Sequence, residues 1–337
     1  MGFPNSTQRG RLLLRPPERN SASALGCWSV VRRSAKRAAQ RLASMTRSSF
    51  QFFLLQLAAV LVFWGRAWQH LVHEPPYRAF FTGEALECVR YGVGGLYGAC
   101  AVAALLVREG GGAAYPRVLR GALWTGAVAL TGLACLYCLE HNGRVGQLIE
   151  YASQVGCVVF VILLSKERAT SGAGPRLVLR MMCVAVALTF LGHGLYAVGY
   201  YETPKSFVDM LSRGLGLSHP LSKSVLLVAG LLDFWVATAL VWAAASWDAD
   251  DKRNATWFHA TLAYAAVWGF ATALARVVTI TRIELFWETF SIGHFETMVR
   301  LVHGLLPLAI LLSVRGCGHA AVQNIGRRPI ADVPIGR

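Results

Sequence analysis

The sequence is poor in charged residues, and acidic residues are the rarer kind. Asp, Glu, Lys and Arg make up only 15% of the 337 residues, with 18 acidic against 33 basic, whereas 55% of the residues are hydrophobic. The mean hydropathy is +0.44. A folded chain with so few charges cannot surround an apolar core with a polar surface, so the composition excludes a water-soluble globular protein.

Recognisable catalytic and metal-binding motifs are also missing. The nine histidines form no HExxH pattern, and the eight cysteines include no CxxC accompanied by histidines at a zinc-site spacing. There is no glycine-rich phosphate loop, nucleophile elbow or kinase signature. The sequence therefore predicts no metal site, and it names no catalytic residue by motif.

What the sequence does contain is a series of apolar runs of roughly 17–25 residues, the length at which a helix crosses about 30 Å of hydrocarbon. We predict an all-α integral membrane protein with about eight transmembrane helices, and the shortest runs leave a count of six or seven open. The runs are Phe50–His73, Tyr91–Val107, Val118–Glu140, Leu148–Leu164, Leu177–Tyr200, Ser224–Trp247, Thr256–Ile280 and Met298–Val314.

Membrane topology accounts for the excess positive charge. The first 49 residues hold ten basic residues and one acidic residue, Glu18, and so carry +9 of the net charge of +15. Later basic residues concentrate on alternate loops, such as Arg108–Arg120 and Lys166–Arg180. By the positive-inside rule we predict a multi-pass protein of the cell (inner) membrane with both termini cytoplasmic. The lipid bilayer is the expected partner, and nucleic acid is not.

Residues 1–49 are rich in Arg and Ser and too poor in contiguous apolar residues to form a core, so we predict a disordered basic tail. Three other interpretations stay open. The segment has the acid-poor, Arg-rich composition of an organelle transit peptide, its start Met-Gly-Phe-Pro-Asn-Ser fits the loose myristoylation pattern, and translation could begin at Met45 instead of Met1.

The eight runs divide into two sets of four. Gly65 and Gly192 lie at similar places in the first and fifth runs, Phe80 and Phe207 lie in the loops that follow, and each pair is 127 residues apart. This spacing indicates an internal duplication in parallel orientation. We predict two tandem four-helix membrane units at residues 50–165 and 177–314, followed by a short cytoplasmic tail at residues 315–337.

Each predicted unit has four helices and a polar loop after its first helix, which is Glu74–Glu84 in the first unit and Tyr201–Arg213 in the second. In this architecture the chain resembles the DoxX/DoxD-like superfamily of four-helix membrane proteins, some of which are linked to quinone-dependent oxidation or thiol redox chemistry. The resemblance implies the fold and an association with quinone or thiol redox chemistry. It assigns no catalytic residue.

Ionisable side chains within the predicted helices are costly in hydrocarbon and mark candidate sites. Six of them, all predicted in the outer half of the membrane, are the ligand-binding candidates: Arg66, His70, His193, Asp233, Arg276 and His303. We interpret them as an outward-facing polar pocket between the two units, in which Arg66 and Arg276 bind an anionic or quinone-like head group and the histidines move protons. The alternative is structural, with Asp233 paired to Arg276 or Arg66 to hold helices together.

Three further features of the sequence could contribute to such a site: a cysteine pair, a histidine pair and the segment before the last helix. Cys135 and Cys138 lie one helical turn apart in the third run, where a dithiol could exchange electrons with a quinone, although a packing role is the alternative. His193 facing His303 or His70 could ligate haem. The segment Thr281–Glu296 mixes apolar and charged residues and predicts an amphipathic surface helix, which could cover the pocket.

Three classes of function follow from these features. The first is a quinone- or thiol-redox component that works with a membrane redox or assembly partner. The second is a small-molecule or ion carrier, and the third is a non-catalytic assembly or structural protein. The one-sided placement of the ionisable residues argues against a polar path through the whole membrane.

Overall fold

The computed structural model of the chain describes residues 49–73, 76–109, 117–166, 174–246, 252–280 and 286–325. Within these ranges the secondary structure is helical, with no strand. The basic tail predicted at residues 1–49 lies outside the described residues except for Ser49, and the predicted C-terminal tail lies outside them from residue 326 onward.

The described chain forms eleven α-helices and one short 3-10 helix, Pro76–Ala79. The α-helices are α1 Ser49–Val72, α2 Gly83–Leu106, α3 Arg117–Glu140, α4 Val145–Glu150, α5 Ala152–Lys166, α6 Gly174–Ala197, α7 Lys205–Leu215, α8 His219–Ser246, α9 Lys252–Ile280, α10 Phe286–Arg300 and α11 Val302–Ile325.

Eight segments of the described chain are long and apolar enough to cross a membrane, which confirms the predicted fold class of an all-α polytopic membrane protein. Each coincides with one of the eight predicted runs. They are Ser49–Val72, Gly83–Leu106, Arg117–Glu140, Val145–Ser165, Arg176–Ala197, His219–Ser246, Thr256–Thr279 and Thr289–Val314.

The eighth span begins earlier than predicted, at Thr289 instead of Met298, and ends at the predicted Val314. The expected surface helix at Thr281–Glu296 is wrong, because the described part of that segment belongs to α10, which forms the first part of the span from Thr289 onward. Phe295 and Val299 of α10 are 2% and 1% exposed, as expected of packed residues and not of an interfacial helix. At the other end, α11 continues to Ile325, past the predicted end at Val314.

The amphipathic helix of the structure lies elsewhere, between the fifth and sixth spans. Helix α7, Lys205–Leu215, packs against both α8 and α9. Val208 is buried on its inner side, whereas Lys205 and Arg213 are exposed. Gly216, with φ of 66°, ends the helix in the left-handed conformation that glycine adopts at no steric cost.

The fourth and the eighth spans are each interrupted near a charged residue. Helix α4 ends at Glu150 and α5 begins at Ala152, while α10 ends at Arg300 and α11 begins at Val302. The two interruptions fall in the last span of each predicted four-helix unit. Each interruption is one residue long, and helical hydrogen bonding resumes at once: the N–H of Val155 donates to the carbonyl of Tyr151, and the N–H of Leu305 donates to the carbonyl of Leu301, each at 2.9 Å.

The two predicted units pack against each other along their length. From Arg47 onward the chain clusters as one compact unit, and α6 contacts α4 and α5 of the first half as well as α8 and α11 of the second. Helix α1 also reaches across, because a Cβ added at Gly65 would lie 2.8 Å from a methyl carbon of Val299. The seam between the halves is therefore part of the core, and polar residues within it are shielded from lipid.

Candidate ligand-binding site

A buried hydrogen-bond chain fixes Arg66 at the seam. Arg66 donates from Nη1 to Oε1 of Gln69 at 2.6 Å and from Nη2 to Oε1 of Gln154 at 2.8 Å. Gln69 in turn donates to the hydroxyl of Tyr137 at 2.7 Å. The guanidinium also lies 4.6 Å from the ring centroid of Tyr151, within the range of cation–π attraction. Helices α1, α3 and α5 are thus joined around one fixed positive charge.

Glu296 holds the other two arginines of the cluster. Its carboxylate pairs with Nη1 of Arg276 at 3.2 Å and makes a short ion pair with Arg300, which lies four residues further along the same helix. The sequence-based alternative that Asp233 pairs with Arg276 or with Arg66 is therefore wrong, because Arg276 pairs with Glu296 and Arg66 donates to Gln69 and Gln154. Because one carboxylate serves two guanidinium groups, the trio keeps a net positive charge.

Two histidines and a glutamate lie next to this trio. His193 Nε2 is 3.8 Å from Oε1 of Glu150, and the rings of His193 and His303 meet edge to face with centroids 4.9 Å apart. Both ring nitrogens of His303 are buried without a hydrogen-bond partner in the described protein. The direct ring contact leaves no space for a porphyrin between the two imidazoles, so the geometry does not fit the haem interpretation of this pair.

These groups surround a polar cavity of about 130 Å³. The charged or titratable residues at its wall are Arg66, Glu150, His193, Glu296, Arg300 and His303, and Gln69, Tyr137, Gln147, Tyr151 and Gln154 complete it. Glu150 and Arg300, the residues at the two helix interruptions, face this cavity from opposite halves of the chain.

A second, larger cavity adjoins the polar one and is mainly apolar. This chamber has a volume of about 340 Å³ and lies between α7, α8 and α9, with walls that include Phe207, Leu226, Ala229 and Ala275. His193 and Arg300 line both cavities. The two spaces consequently meet at these side chains, with charge on one side and hydrocarbon surface on the other.

Asp233 lies in the wall of the apolar chamber. Its side chain accepts a hydrogen bond from Trp268, another wall residue, but its second oxygen, Oδ1, is buried without a partner in the described protein. Arg276 also lines the chamber, 5.7 Å from the ring centroid of Phe207, and its Nε has no partner. Burying such groups without full hydrogen bonding costs free energy, so their presence requires an explanation beyond packing.

His70 lies outside both cavities. Its Nδ1 donates to the backbone carbonyl of Arg66 at 2.6 Å, and in the neutral ring its Nε2 accepts a hydrogen bond from the hydroxyl of Tyr77 at 2.9 Å. Burial raises the pKa of Tyr77 to about 12, so this hydroxyl keeps its proton at physiological pH. The histidine is fully satisfied within the protein and ties the end of α1 to the following 3-10 helix.

The cysteine pair also lies away from the cavities. Cys135 is exposed on the outer surface of α3 and Cys138 is half-buried, and both are free thiols. Tyr137, between them, is the residue of this turn that faces the polar cavity. The dithiol hypothesis remains a prediction. Among the described residues, no group of three or more His, Cys, Asp or Glu side chains is arranged to hold a metal ion.

Five of the six predicted ligand-binding residues thus border the two adjoining cavities, and His70 does not. The main omissions of the sequence analysis are Glu296, Arg300 and the glutamines that position Arg66. The sequence did contain a signal for Glu296 and Arg300. These two residues and His303 are spaced by four and three positions, so on one helix they share a face. The signal was missed because Glu296 was assigned to the segment between the last two helices.

In comparisons with known proteins, no protein-family model, curated protein or solved structure matches the chain.

Proposed function

We propose that the protein binds a quinone-like amphiphile in the membrane, as a DoxX-like quinone-associated component. The observation that carries the proposal is the junction of a polar, arginine-rich cavity with an apolar chamber at His193 and Arg300. A ligand that fits both must carry hydrogen-bond acceptors on a compact head group and a hydrocarbon portion next to them. Quinones have this chemistry, with carbonyl oxygens that accept hydrogen bonds from guanidinium and imidazole groups.

The charge of the cluster favours an acceptor. Arg66, Arg276 and Arg300 stand against the carboxylate of Glu296, with Glu150 nearby. Head groups that bear oxygen acceptors or negative charge gain from this excess of positive charge.

Internal pairing explains only part of the cluster, which weighs against a purely structural role. Glu296 and Gln154 satisfy atoms of the three arginines, yet both nitrogens of His303, Oδ1 of Asp233 and the Nε atoms of Arg66 and Arg276 have no partner in the described protein. The residues that carry these atoms line the two cavities, and buried polar atoms without a partner are expected where a ligand or ordered water completes them.

The packing at the helix ends that lie away from the two cavities favours a one-sided binding site over a carrier. There the helices contribute buried apolar side chains, among them Leu55, Ile162, Met182 and Leu262, each 0% exposed. A carrier needs polar groups that are available along its whole path. At these ends the buried Thr261 and Ser165 instead donate to the backbone carbonyls of Trp257 and Ile162. With the termini in the cytoplasm, as the basic loops predict, the cavities belong to the outward-facing half of the protein.

The proposal is tested by quinone binding to the purified protein in mild detergent. We expect a short-chain benzoquinone to bind the wild-type protein, and we expect Arg300→Gln to weaken binding about tenfold or more, because a hydrogen bond from a charged donor contributes roughly 1.5–3 kcal/mol. Glu296 retains Arg276 as a partner in this variant, which favours retention of the fold.

The matched control is Arg144→Gln, which removes an arginine that is 3.4 Å from exposed Glu202 and does not line the polar cavity. It is expected to bind like the wild-type protein. Mass spectrometry of molecules extracted from the protein purified from its membrane supplies a second readout. A wild-type protein that neither carries nor binds a quinone contradicts the proposal.

A further inference from the structure

The apolar chamber opens toward the lipid-facing surface of the protein. Leu215 at the end of α7 and Val278 on α9 both line the chamber, and they are 67% and 71% exposed. Val278 lies one residue before the end of the seventh span, and α7 lies between two spans, so these exposed apolar side chains are at the boundary of the bilayer. The chamber is therefore open at the boundary of the bilayer at one end and continuous with the polar cavity at the other.

The walls of the chamber suit a hydrocarbon chain. Helix α7 closes one side with Phe207, Met210 and Leu211, and most of the remaining lining residues on α8 and α9 are apolar. The volume of about 340 Å³ falls within the range of roughly 300–1,000 Å³ found for small-molecule pockets. The amphipathic character of α7 is explained by this arrangement, because its inner face borders the chamber while Lys205 and Arg213 face outward.

Polar groups also line the chamber. Arg276 and Arg300 line the chamber together with His193, which also faces the polar cavity. Asp233 Oδ1, buried and without a partner, adds an acceptor to the same wall. The junction therefore offers cationic donors to the carbonyl oxygens of a quinone, and Asp233 offers an acceptor to a hydroxyl of its reduced form, the quinol.

We infer that the chamber holds the single alkyl or isoprenoid chain of the amphiphile whose head group binds at His193 and Arg300, and that this chain enters laterally from the bilayer between α7, α8 and α9. The inference rests on the proposed function, because it assigns the tail of the same ligand. Two features support this occupant over a separate lipid: the chamber is continuous with the head-group cavity, and the space suits one chain.

The test compares 2,3-dimethoxy-5-methyl-1,4-benzoquinone, which has no chain, with its decyl derivative. The quantity measured is the ratio of the Kd of the chain-free quinone to the Kd of the decyl quinone, obtained from quenching of intrinsic fluorescence in lipid nanodiscs. We expect a ratio above tenfold for the wild-type protein. Ala229→Phe, which adds a ring to the chamber wall, is expected to lower this ratio at least tenfold.

Ala271→Phe fills the chamber from the opposite wall and is expected to act in the same way, so the test does not depend on one variant folding. Ala260→Phe, at an exposed position of α9, is the matched control and is expected to leave the ratio unchanged. If the wild-type protein binds both quinones with a ratio near one, or if folded filling variants keep the wild-type ratio, the tail assignment is overturned.

These outcomes separate the two proposals. Binding of the chain-free quinone without a chain effect retains the proposed function and rejects the chamber as a tail site. Binding of neither quinone rejects the proposed function itself. A decyl quinone with a photoreactive diazirine at the chain end provides a direct check: crosslinking to the peptide that contains Met210 supports the inference, and crosslinking only to lipid opposes it.

Discussion

Asp233 illustrates how single residues distinguish a binding site from a structural core. It is 4% exposed, it receives one hydrogen bond from Trp268, and its other oxygen has no partner in the described protein. An acid in an apolar wall lowers stability, and proteins retain such groups mainly where function requires them. The same argument applies to His303, whose two nitrogens are buried beside His193.

We predict that Asp233→Asn stabilises the protein and weakens binding of the reduced, quinol form of the ligand. The amide keeps an acceptor for Trp268 but places an NH2 donor where the free oxygen was, so a quinol hydroxyl loses its acceptor. The substitution also removes an acidic group from an apolar wall, so the free energy of unfolding should rise by about 1–3 kcal/mol. The measurement is the midpoint of thermal unfolding in one detergent, together with the Kd for decyl benzoquinol.

Asp209→Asn serves as the comparison for this prediction. Asp209 pairs with Arg213 on the outer side of α7 at 3.6 Å, and partly exposed pairs contribute little to stability. Its thermal midpoint is expected to stay close to that of the wild-type protein. A lower midpoint for Asp233→Asn would show that the carboxylate stabilises the fold, and the ligand role assigned to it would then be wrong.

At the scale of helices, the position of His303 depends on a close crossing of α9 and α11. A Cβ at Gly269 would overlap the backbone carbonyl of His303, and a Cβ at Gly304 would lie 2.6 Å from the ring of Phe270. Pro307, four residues after His303, lacks the N–H that would normally bond that carbonyl. The interruption after Arg300 and this crossing together direct His303 toward the polar cavity.

Gly269→Ala is therefore expected to displace α11 and lower both stability and quinone binding. Inserting a methyl group at a tight backbone contact costs roughly 1–3 kcal/mol, which should appear as a lower thermal midpoint. The control is Gly98→Ala in α2, where an added Cβ meets nothing within 4 Å. That substitution should be neutral or stabilising, because alanine is the better helix former. Equal midpoints for the two variants would refute the close crossing.

At the scale of the whole molecule, the internal duplication of the two halves remains a prediction. The helix interruptions add a second feature that the two halves share. The last span of each half is broken, at Glu150 and at Arg300, and both residues face one cavity. An internal duplication followed by divergence of the paired charges would produce this pattern. The fold itself is one packed unit, since α1 and α6 each contact the opposite half.

Topology is the prediction that belongs to this scale. With both termini cytoplasmic, a cysteine replacing Glu202 should react with a membrane-impermeant maleimide in intact cells, and a cysteine replacing Arg117 should react only after the membrane is opened. Both positions are exposed. The background carries Cys88→Ser and Cys135→Ser, because both residues are exposed thiols. The reverse labelling pattern would show that the predicted topology is inverted and that the cavities lie in the cytoplasmic half of the protein.

The sequence by itself determined the fold class and the number of spans, because length and apolarity decide whether a helix can cross a bilayer and both are local properties. It also identified Arg66, His193, Asp233, Arg276 and His303 as costly residues, since the cost of a polar group in hydrocarbon does not depend on its partners. What depends on partners was decided only by the tertiary structure. Whether Arg276 pairs with Glu296 or with Asp233, whether His70 is satisfied, and where two cavities meet all follow from how α6, α9 and α10 pack, and no local pattern encodes that packing.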